Sequence, residues 1–145
     1  MRFEDAGPVF IGHRGARFEA PENTLPGFRY AIDIGIEALE FDVRLTVDEQ
    51  PVVIHDDTVD RTTNGTGNVA DLTLAEILAL DARSIFPDWP EACFVPTFAQ
   101  VLDTVAPVPE LIIEIKKDTP ERLARIVPAV ITEVENRNLS SQVTI

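Results

Sequence analysis

Two histidines stand where predicted strands end. The chain contains only His13 and His55, and each closes a short apolar run. Because side chains alternate between the two faces of a strand, His13 shares a face with Val9 and Ile11, and His55 shares one with Val53. Imidazole has the unperturbed side-chain pKa nearest neutrality, so such a pair could act together as acid and base.

Three carboxylates are predicted to lie with the two histidines at the mouth of one cavity. Glu40 and Asp42 lie on one face of a strand, and Glu114 lies on one face of another strand together with Lys116. Carboxylates brought within several ångströms repel and raise one another's pKa unless a cation neutralises them. Oxygen ligands select a hard divalent ion, Mg²⁺ or Ca²⁺. Arg14 and Lys116 add positive charge at the same place.

Strands and helices alternate along the chain and must position these groups. Strands are predicted over residues 9–12, 38–46, 51–54, 111–116 and 142–145. Helices are predicted from a cap at Thr24 to Gly35, after capping boxes at Thr73 (residues 75–80) and Thr97 (residues 101–105), and from Thr119 onward with a kink at Pro128. Residues 60–71 are predicted to be a loop.

The alternation of strands and helices predicts an α/β fold with parallel strands, either an open doubly wound sheet or a barrel. The strand over residues 38–46 decides between them, because one face carries Glu40, Asp42 and Arg44. Central strands of an open sheet meet helices on both faces and tend to be apolar throughout. A barrel accepts polar groups where its strands end, so we predict a (β/α)8 barrel of the TIM type.

Composition excludes several classes of protein. A formal charge of −13, from 25 acidic and 12 basic residues, argues against nucleic-acid binding. Cys93 is the single cysteine and cannot form an intrachain disulfide. Residues 1–5 include acidic side chains where a secretory signal would be basic, and no apolar run is long enough for membrane insertion. We therefore expect a cytoplasmic protein.

A series of ordered motifs resembles the glycerophosphodiester phosphodiesterase family. The motifs are GHRGA (12–16), APENT (20–24), EFDVRLTVD (40–48), PVVIHDDT (51–58), DRTTNGTG (60–67), PTF (96–98) and EIK (114–116). The resemblance covers residues 12–116 in order, which is a strong signal. It implies a metal-dependent TIM-barrel hydrolase that converts glycerophosphodiesters into glycerol 3-phosphate and an alcohol.

The resemblance also implies a role for each candidate residue. The implied roles are acid–base catalysis for His13 and His55, metal binding for Glu40, Asp42 and Glu114, phosphate binding for Arg14 and Lys116, and support for Glu22 and Asn23. The substrate's own hydroxyl adjacent to the phosphoester could attack phosphorus and expel the alcohol, and water would then open the cyclic phosphate. One histidine would remove a proton and the other would donate one, with roles reversed in the second step.

Two other functions remain open at this stage. One is a different phosphodiesterase on the same fold, such as a phospholipase D-like toxin or a phosphoinositide-specific phospholipase C. These enzymes commonly carry export signals, disulfides or exposed apolar loops, which the sequence does not indicate. The other is a catalytically inactive half-barrel that binds only an anion or a partner.

The length of 145 residues is short for the predicted barrel. A complete barrel of this type needs about 250 residues, and five of eight strands are predicted here. Residues 1–145 are therefore interpreted as a single domain whose C-terminal portion is missing, with a homo-oligomer or another completing chain as the alternative. We expect the isolated chain to have little or no turnover.

Overall fold

The computed structural model describes residues 7–145. The acidic side chains within residues 1–5, on which the expectation of no secretory signal rests, lie outside the described residues. The described part contains five strands, four α-helices and a 3-10 turn at Val69–Asp71. The strands are β1 (Ile11–His13), β2 (Ala38–Leu45), β3 (Pro51–Val53), β4 (Glu110–Ile115) and β5 (Val143–Thr144). The helices are α1 (Leu25–Asp33), α2 (Leu74–Leu78), α3 (Phe98–Val105) and α4 (Pro120–Asn136).

Each predicted strand and helix is present, with ends that differ by up to a few residues. The largest difference is at α3, which begins directly after its cap because the Thr97 hydroxyl accepts a hydrogen bond from the backbone N–H of Gln100. Both predicted capping boxes are confirmed. The fourth helix continues through Pro128 to Asn136. Within residues 7–145, no helix combines the length and apolar character that crossing a bilayer requires.

Four strands run parallel in the order β1-β2-β4-β5. The register pairs His13 with Glu40 and Asp42 with Glu114, so these four residues lie on the same face of the sheet. Within the described residues, β1 and β5 are the two ends of this parallel series. The sheet therefore has the order and direction of successive strands in a barrel.

The remaining strand, β3, pairs antiparallel with the carboxyl end of β2. Leu45 pairs with Pro51, and the Thr46 backbone N–H donates to the Gln50 carbonyl across the turn at 3.1 Å. So short a connection forces a hairpin, since a parallel crossover needs about a dozen residues or more. Five strands are present as predicted, but only four of them are parallel barrel strands.

Helices α1, α3 and α4 pack on one face of the parallel sheet. Phe41, which is fully buried in β2, meets Phe28 of α1 edge to face with ring centroids 5.6 Å apart. The same core includes residues of α3 and α4. On the opposite face, Ile11 and Glu114 remain exposed. An open doubly wound sheet carries helices on both faces, so this one-sided arrangement indicates an arc of a barrel.

The segment between β3 and α3 folds around a small core of its own. That core includes Val59, Val69 and Ile77, all at most 1% exposed. The backbone N–H of Val59 donates to the Gly67 carbonyl at 3.0 Å, which closes the loop between them. The predicted loop over residues 60–71 is thus an ordered excursion anchored by buried side chains, ending in the 3-10 turn.

Gly12 lets the turn after β1 pass close to the sheet. A Cβ there would lie 2.4 Å from the Gly15 carbonyl oxygen and 2.7 Å from Leu39 Cδ2. We expect Gly12→Ala to lower the free energy of unfolding by about 1–3 kcal/mol through overpacking. Gly7→Ala, whose Cβ meets nothing within 4 Å, is the control and should change it by less than about 0.5 kcal/mol. Denaturant unfolding measures both, and equal stability of the two variants would contradict the close approach.

Candidate active site

The carboxyl ends of β1, β2 and β4 bring His13, Glu40, Asp42 and Glu114 together on the open face of the sheet. The convergence follows from the parallel register, which sets His13 beside Glu40 and Asp42 beside Glu114. The backbone N–H of Arg14 continues the pairing by donating to the Glu40 carbonyl at 2.9 Å. Four of the side chains predicted from their spacing to line one cavity mouth therefore share one face of the sheet.

Glu40, Asp42 and Glu114 form the carboxylate trio. Each offers an oxygen, and these oxygens all lie within 4.8 Å of one another. Asp42 is buried, Glu40 is partly buried and Glu114 is exposed. Burial, followed by the negative charge of Asp42, raises the pKa of Glu40 to about 7. Positive charge close by would therefore favour the ionised form of Glu40.

The donor set of the trio fits a hard divalent cation. Its ligands are oxygens only, which is the preference of Mg²⁺ and Ca²⁺. Oδ1 of Asp42 is buried and accepts no hydrogen bond within the described residues, so its lone pairs remain available for a ligand. The trio could therefore hold a metal ion, which would also keep Glu40 ionised.

Two cations border the trio. Lys116 Nζ lies 2.8 Å from Glu114 Oε1 and 3.2 Å from Asp42 Oδ1, and the second contact is an ion pair without hydrogen-bond geometry. Arg14 Nε lies 3.6 Å from Asp42 Oδ2. The Asn23 amide donates to that same Oδ2 at 3.0 Å. The two residues predicted to bind phosphate thus surround the buried carboxylate, so positive charge lines the edge of the site.

His13 ends β1 beside the trio. Its Nε2 lies 3.6 Å from Glu40 Oε2, and about half of its side chain is exposed. Burial of the remainder, followed by the positive charges of Arg14 and Arg17, lowers the pKa of His13. The imidazole is therefore both accessible from the open face and biased towards its neutral form.

His55 follows β3 and is held from two sides. The backbone N–H of Ile54 donates to the Asp42 carbonyl at 3.0 Å, and Arg44 Nε donates to the His55 carbonyl at 2.9 Å. The His55 ring reaches the neighbouring Asp56, with Nδ1 and Oδ1 2.8 Å apart. Because Nδ1 is engaged by a carboxylate, Nε2 is the ring nitrogen left for proton exchange.

Glu22 and Asn23 lie in the loop after β1, as their predicted supporting role requires. Arg14 and Asn23 both have a φ of 53°, and the Asn23 backbone N–H donates to the Arg14 carbonyl at 3.0 Å. Arg14 also donates from its guanidinium to Glu22 Oε1 at 3.2 Å. Left-handed backbone at non-glycine residues is uncommon and is sustained here by these surrounding contacts.

Three charged residues contact the site without having been assigned a role from the sequence. Arg44 holds the His55 carbonyl, Asp56 holds its ring, and Arg61 bridges Asp56 to Glu22. Arg44, Asp56 and Arg61 all fall inside motifs that carry the family resemblance, which is the signal that could have identified them. Their charge alone is typical of any solvated loop.

Known proteins match the chain in sequence and in fold. A glycerophosphodiester phosphodiesterase of Caldanaerobacter subterraneus is 46% identical over 109 residues, covering 74% of this chain and 45% of that protein. The crystal structure of a glycerophosphodiester phosphodiesterase from Agrobacterium tumefaciens matches with a TM-score of 0.80 at 34% identity, covering 93% of this chain and 55% of that one.

A third match holds a ligand. The structure of a phosphodiesterase from Oleispira antarctica, in complex with the product sn-glycerol-3-phosphate, matches with a TM-score of 0.76 at 30% identity and covers 90% of this chain and 53% of that one. This chain thus spans about half the length of the relatives that it matches. The predicted fold, part of a TIM-type (β/α)8 barrel, is confirmed by the agreement with these structures.

A family model delimits the match more closely. It is the model of the glycerophosphoryl diester phosphodiesterase family, and it matches residues 13–142. That stretch begins at the first histidine and includes the carboxylate trio, both cations and the second histidine. Because the match covers most of the chain and agrees with the fold, this chain belongs to the glycerophosphoryl diester phosphodiesterase family.

Proposed function

We propose that this chain supplies the catalytic part of a metal-dependent hydrolase that converts glycerophosphodiesters into glycerol 3-phosphate and an alcohol. The observation that carries the proposal is the position of His13 beside the carboxylate trio, with His55 following the residue whose backbone N–H bonds the Asp42 carbonyl. The product held by the Oleispira antarctica phosphodiesterase supports the same substrate class. The substrate is a small molecule in this proposal.

The carboxylate trio holds the divalent cation, Mg²⁺ or Ca²⁺, in the proposed enzyme. When bound, this ion supplies charge stabilisation to the phosphoryl group and orients the attacking hydroxyl. Arg14 and Lys116 contact the phosphate, where their charge offsets the negative charge of the phosphoryl oxygens. Glu22 and Asn23 support the site through their contacts to Arg14 and Asp42.

The two histidines move protons in both steps of the proposed reaction. In the first step, one imidazole removes the proton from the glycerol hydroxyl adjacent to the phosphoester, and that oxygen attacks phosphorus. The bond between phosphorus and the alcohol oxygen breaks, and the other imidazole protonates the leaving oxygen. In the second step, the roles reverse as water opens the cyclic phosphate and yields glycerol 3-phosphate.

Hydrolysis of glycerophosphocholine by the whole enzyme to which this chain contributes, in the presence and absence of a chelator, tests the proposal. We expect EDTA to lower the rate at least about 100-fold, since bound metal contributes several kcal/mol to such reactions, and added Mg²⁺ or Ca²⁺ to restore it. The protein should also prefer glycerophosphocholine to lysophospholipid vesicles. A rate unaffected by EDTA would overturn the metal dependence, and preference for vesicles would favour a phospholipase instead.

A further inference from the structure

Arg61 donates hydrogen bonds to two carboxylates at the edge of the site, and none of the roles described above accounts for them. Its Nε and Nη2 donate to the two carboxylate oxygens of Asp56 at 2.8 and 2.9 Å. Its Nη1 and Nη2 donate to the two carboxylate oxygens of Glu22 at 2.9 and 2.8 Å. All three guanidinium nitrogens are therefore engaged, and each carboxylate is held by two hydrogen bonds.

Asp56 depends on this contact for its position. Within residues 7–145, the side-chain hydrogen bonds to Asp56 come only from Arg61 and from the His55 ring. The hydrogen bonds from Arg61 are the largest cause that lowers the pKa of Asp56, so the carboxylate stays ionised and can accept a proton donor throughout the neutral range. Arg61 thus fixes the orientation of the group that holds His55.

Glu22 provides a fixed point on the other side. Its side chain is only 9% exposed, and it also accepts a hydrogen bond from Arg14, the residue after His13. Burial opposes ionisation of Glu22, but the hydrogen bonds and charges of Arg61 and Arg14 outweigh it and lower its pKa. Arg61 consequently connects the loop after β1 to the residue that holds the second histidine.

The backbone that carries Arg61 is itself anchored. Thr63 is 3% exposed, and both its backbone N–H and its hydroxyl donate to the Val59 carbonyl, at 3.1 and 2.7 Å. Val59 lies in the small core of this segment. The turn over residues 59–63 is therefore held in place, so the backbone that carries the Arg61 guanidinium is anchored.

We propose that Arg61 is a positioning residue for the reaction, which holds His55 through Asp56 so that Nδ1 keeps its proton and Nε2 faces proton exchange. The inference rests on the proposed function, in which His55 is one of the acid–base pair. Arginine is required because its planar fork bridges two carboxylates at once, whereas the ammonium group of lysine is a single point charge. Loss of Arg61 would leave Asp56 and Glu22 as neighbouring carboxylates without their shared cation.

Kinetics of Arg61→Ala and Arg61→Lys in the whole metal-loaded enzyme test this role. Misplaced catalytic groups and lost outer contacts commonly reduce activity about 10–100-fold, so we expect kcat to fall by about that factor in both variants with KM changed less than about threefold. Arg29→Ala is the matched control, because Arg29 forms an exposed ion pair with Glu91 at 3.0 Å and should keep wild-type kcat. Wild-type kcat in Arg61→Ala would overturn the proposal.

A second readout does not depend on activity. Proton–nitrogen NMR of the imidazole rings reports which nitrogen carries the proton, and the signal lost in His55→Gln identifies His55. We expect the Nδ1–H tautomer in the wild type and a mixture of tautomers in Arg61→Ala. An unchanged tautomer would overturn the positioning role even if kcat falls. If the whole metal-loaded enzyme with the wild-type sequence does not hydrolyse glycerophosphocholine, the proposed function fails, and the NMR arm still decides whether Arg61 orients His55.

Asp56→Asn tests the same link from its other end and covers the case in which Arg61→Ala is unstable. It removes the negative charge that fixes the ring, while Arg61 can still bind Glu22. We expect a similar loss of kcat in Asp56→Asn. The double variant Asp56→Asn with Arg61→Ala should be no slower than the slower single variant, because the effects of residues that act as a unit do not add. Additive losses in the double variant would show that Arg61 does not act through Asp56.

Discussion

In the whole enzyme, His13→Ala and His55→Ala are each expected to lower kcat for glycerophosphocholine by about 10²–10⁴-fold, the contribution typical of a general acid or base. Each imidazole has its own proton to transfer, so neither can replace the other within one step. Their side chains are 52% and 31% exposed and neither belongs to an apolar core, so thermal unfolding should remain close to that of the wild type. Either variant retaining most of its activity would contradict the acid–base assignment.

The leaving group distinguishes the two histidines. In a substrate whose alcohol is p-nitrophenol, the leaving group departs as a stable anion. Its departure in the first step does not need a general acid. We expect this substrate to restore first-step turnover to the variant that lacks the first-step acid, and not to the variant that lacks the base. Comparison of p-nitrophenol release by His13→Ala and His55→Ala therefore assigns the order of proton transfer. If both variants lose p-nitrophenol release equally, then neither histidine acts only as the general acid of the first step.

The alternation of polar and apolar residues in β2 is what makes the site predictable. Leu39 and Phe41 point to the helices, so Glu40 and Asp42 must point the other way, and the structure places them there. The same logic holds for Glu114 in β4. A strand's period of two is a local property, so it can be deduced from the sequence without knowing what packs against the strand.

The direction of β3 is determined by the short turn that precedes it. Its apolar composition predicts a strand, but composition carries no direction. The short turn after Leu45 supplies the direction, because it can only form a hairpin, and Pro51 accordingly pairs back with Leu45. The consequence for the site is that His55 approaches the carboxyl end of β2 from a hairpin rather than from a barrel strand.

The contacts of Arg61 could not be predicted from periodicity. Arg61 and Glu22 are separated by 39 positions in sequence and lie in two different loops. Which carboxylate a loop arginine meets depends on how the two loops are placed by the sheet and by the small core around Val59. Tertiary packing of this kind leaves no repeating pattern in the sequence, unlike the alternation in a strand.

Asp42→Asn is expected to abolish metal binding and hydrolysis together. Asp42 is the buried member of the trio, its side chain is 1% exposed, and Oδ1 accepts no hydrogen bond among the described residues. The amide keeps the shape of the side chain but removes its negative charge, which supplies much of the attraction between a carboxylate ligand and a divalent ion. Glu114→Gln should weaken binding less, because Glu114 is exposed and solvent can take the place of a lost ligand.

Metal-dependent stabilisation measures this effect without relying on turnover. A ligand at about 100 times its dissociation constant stabilises the folded state by about 2.7 kcal/mol, so Mg²⁺ or Ca²⁺ should raise the Tm of the wild type. Asp33→Asn is the matched control, since it changes the net charge equally at an exposed residue that ends α1, and it should keep that rise. Asp42→Asn should lose it. An equal rise in Asp42→Asn would place the cation elsewhere than the trio, because loss of the negative charge of Asp42 should weaken binding there.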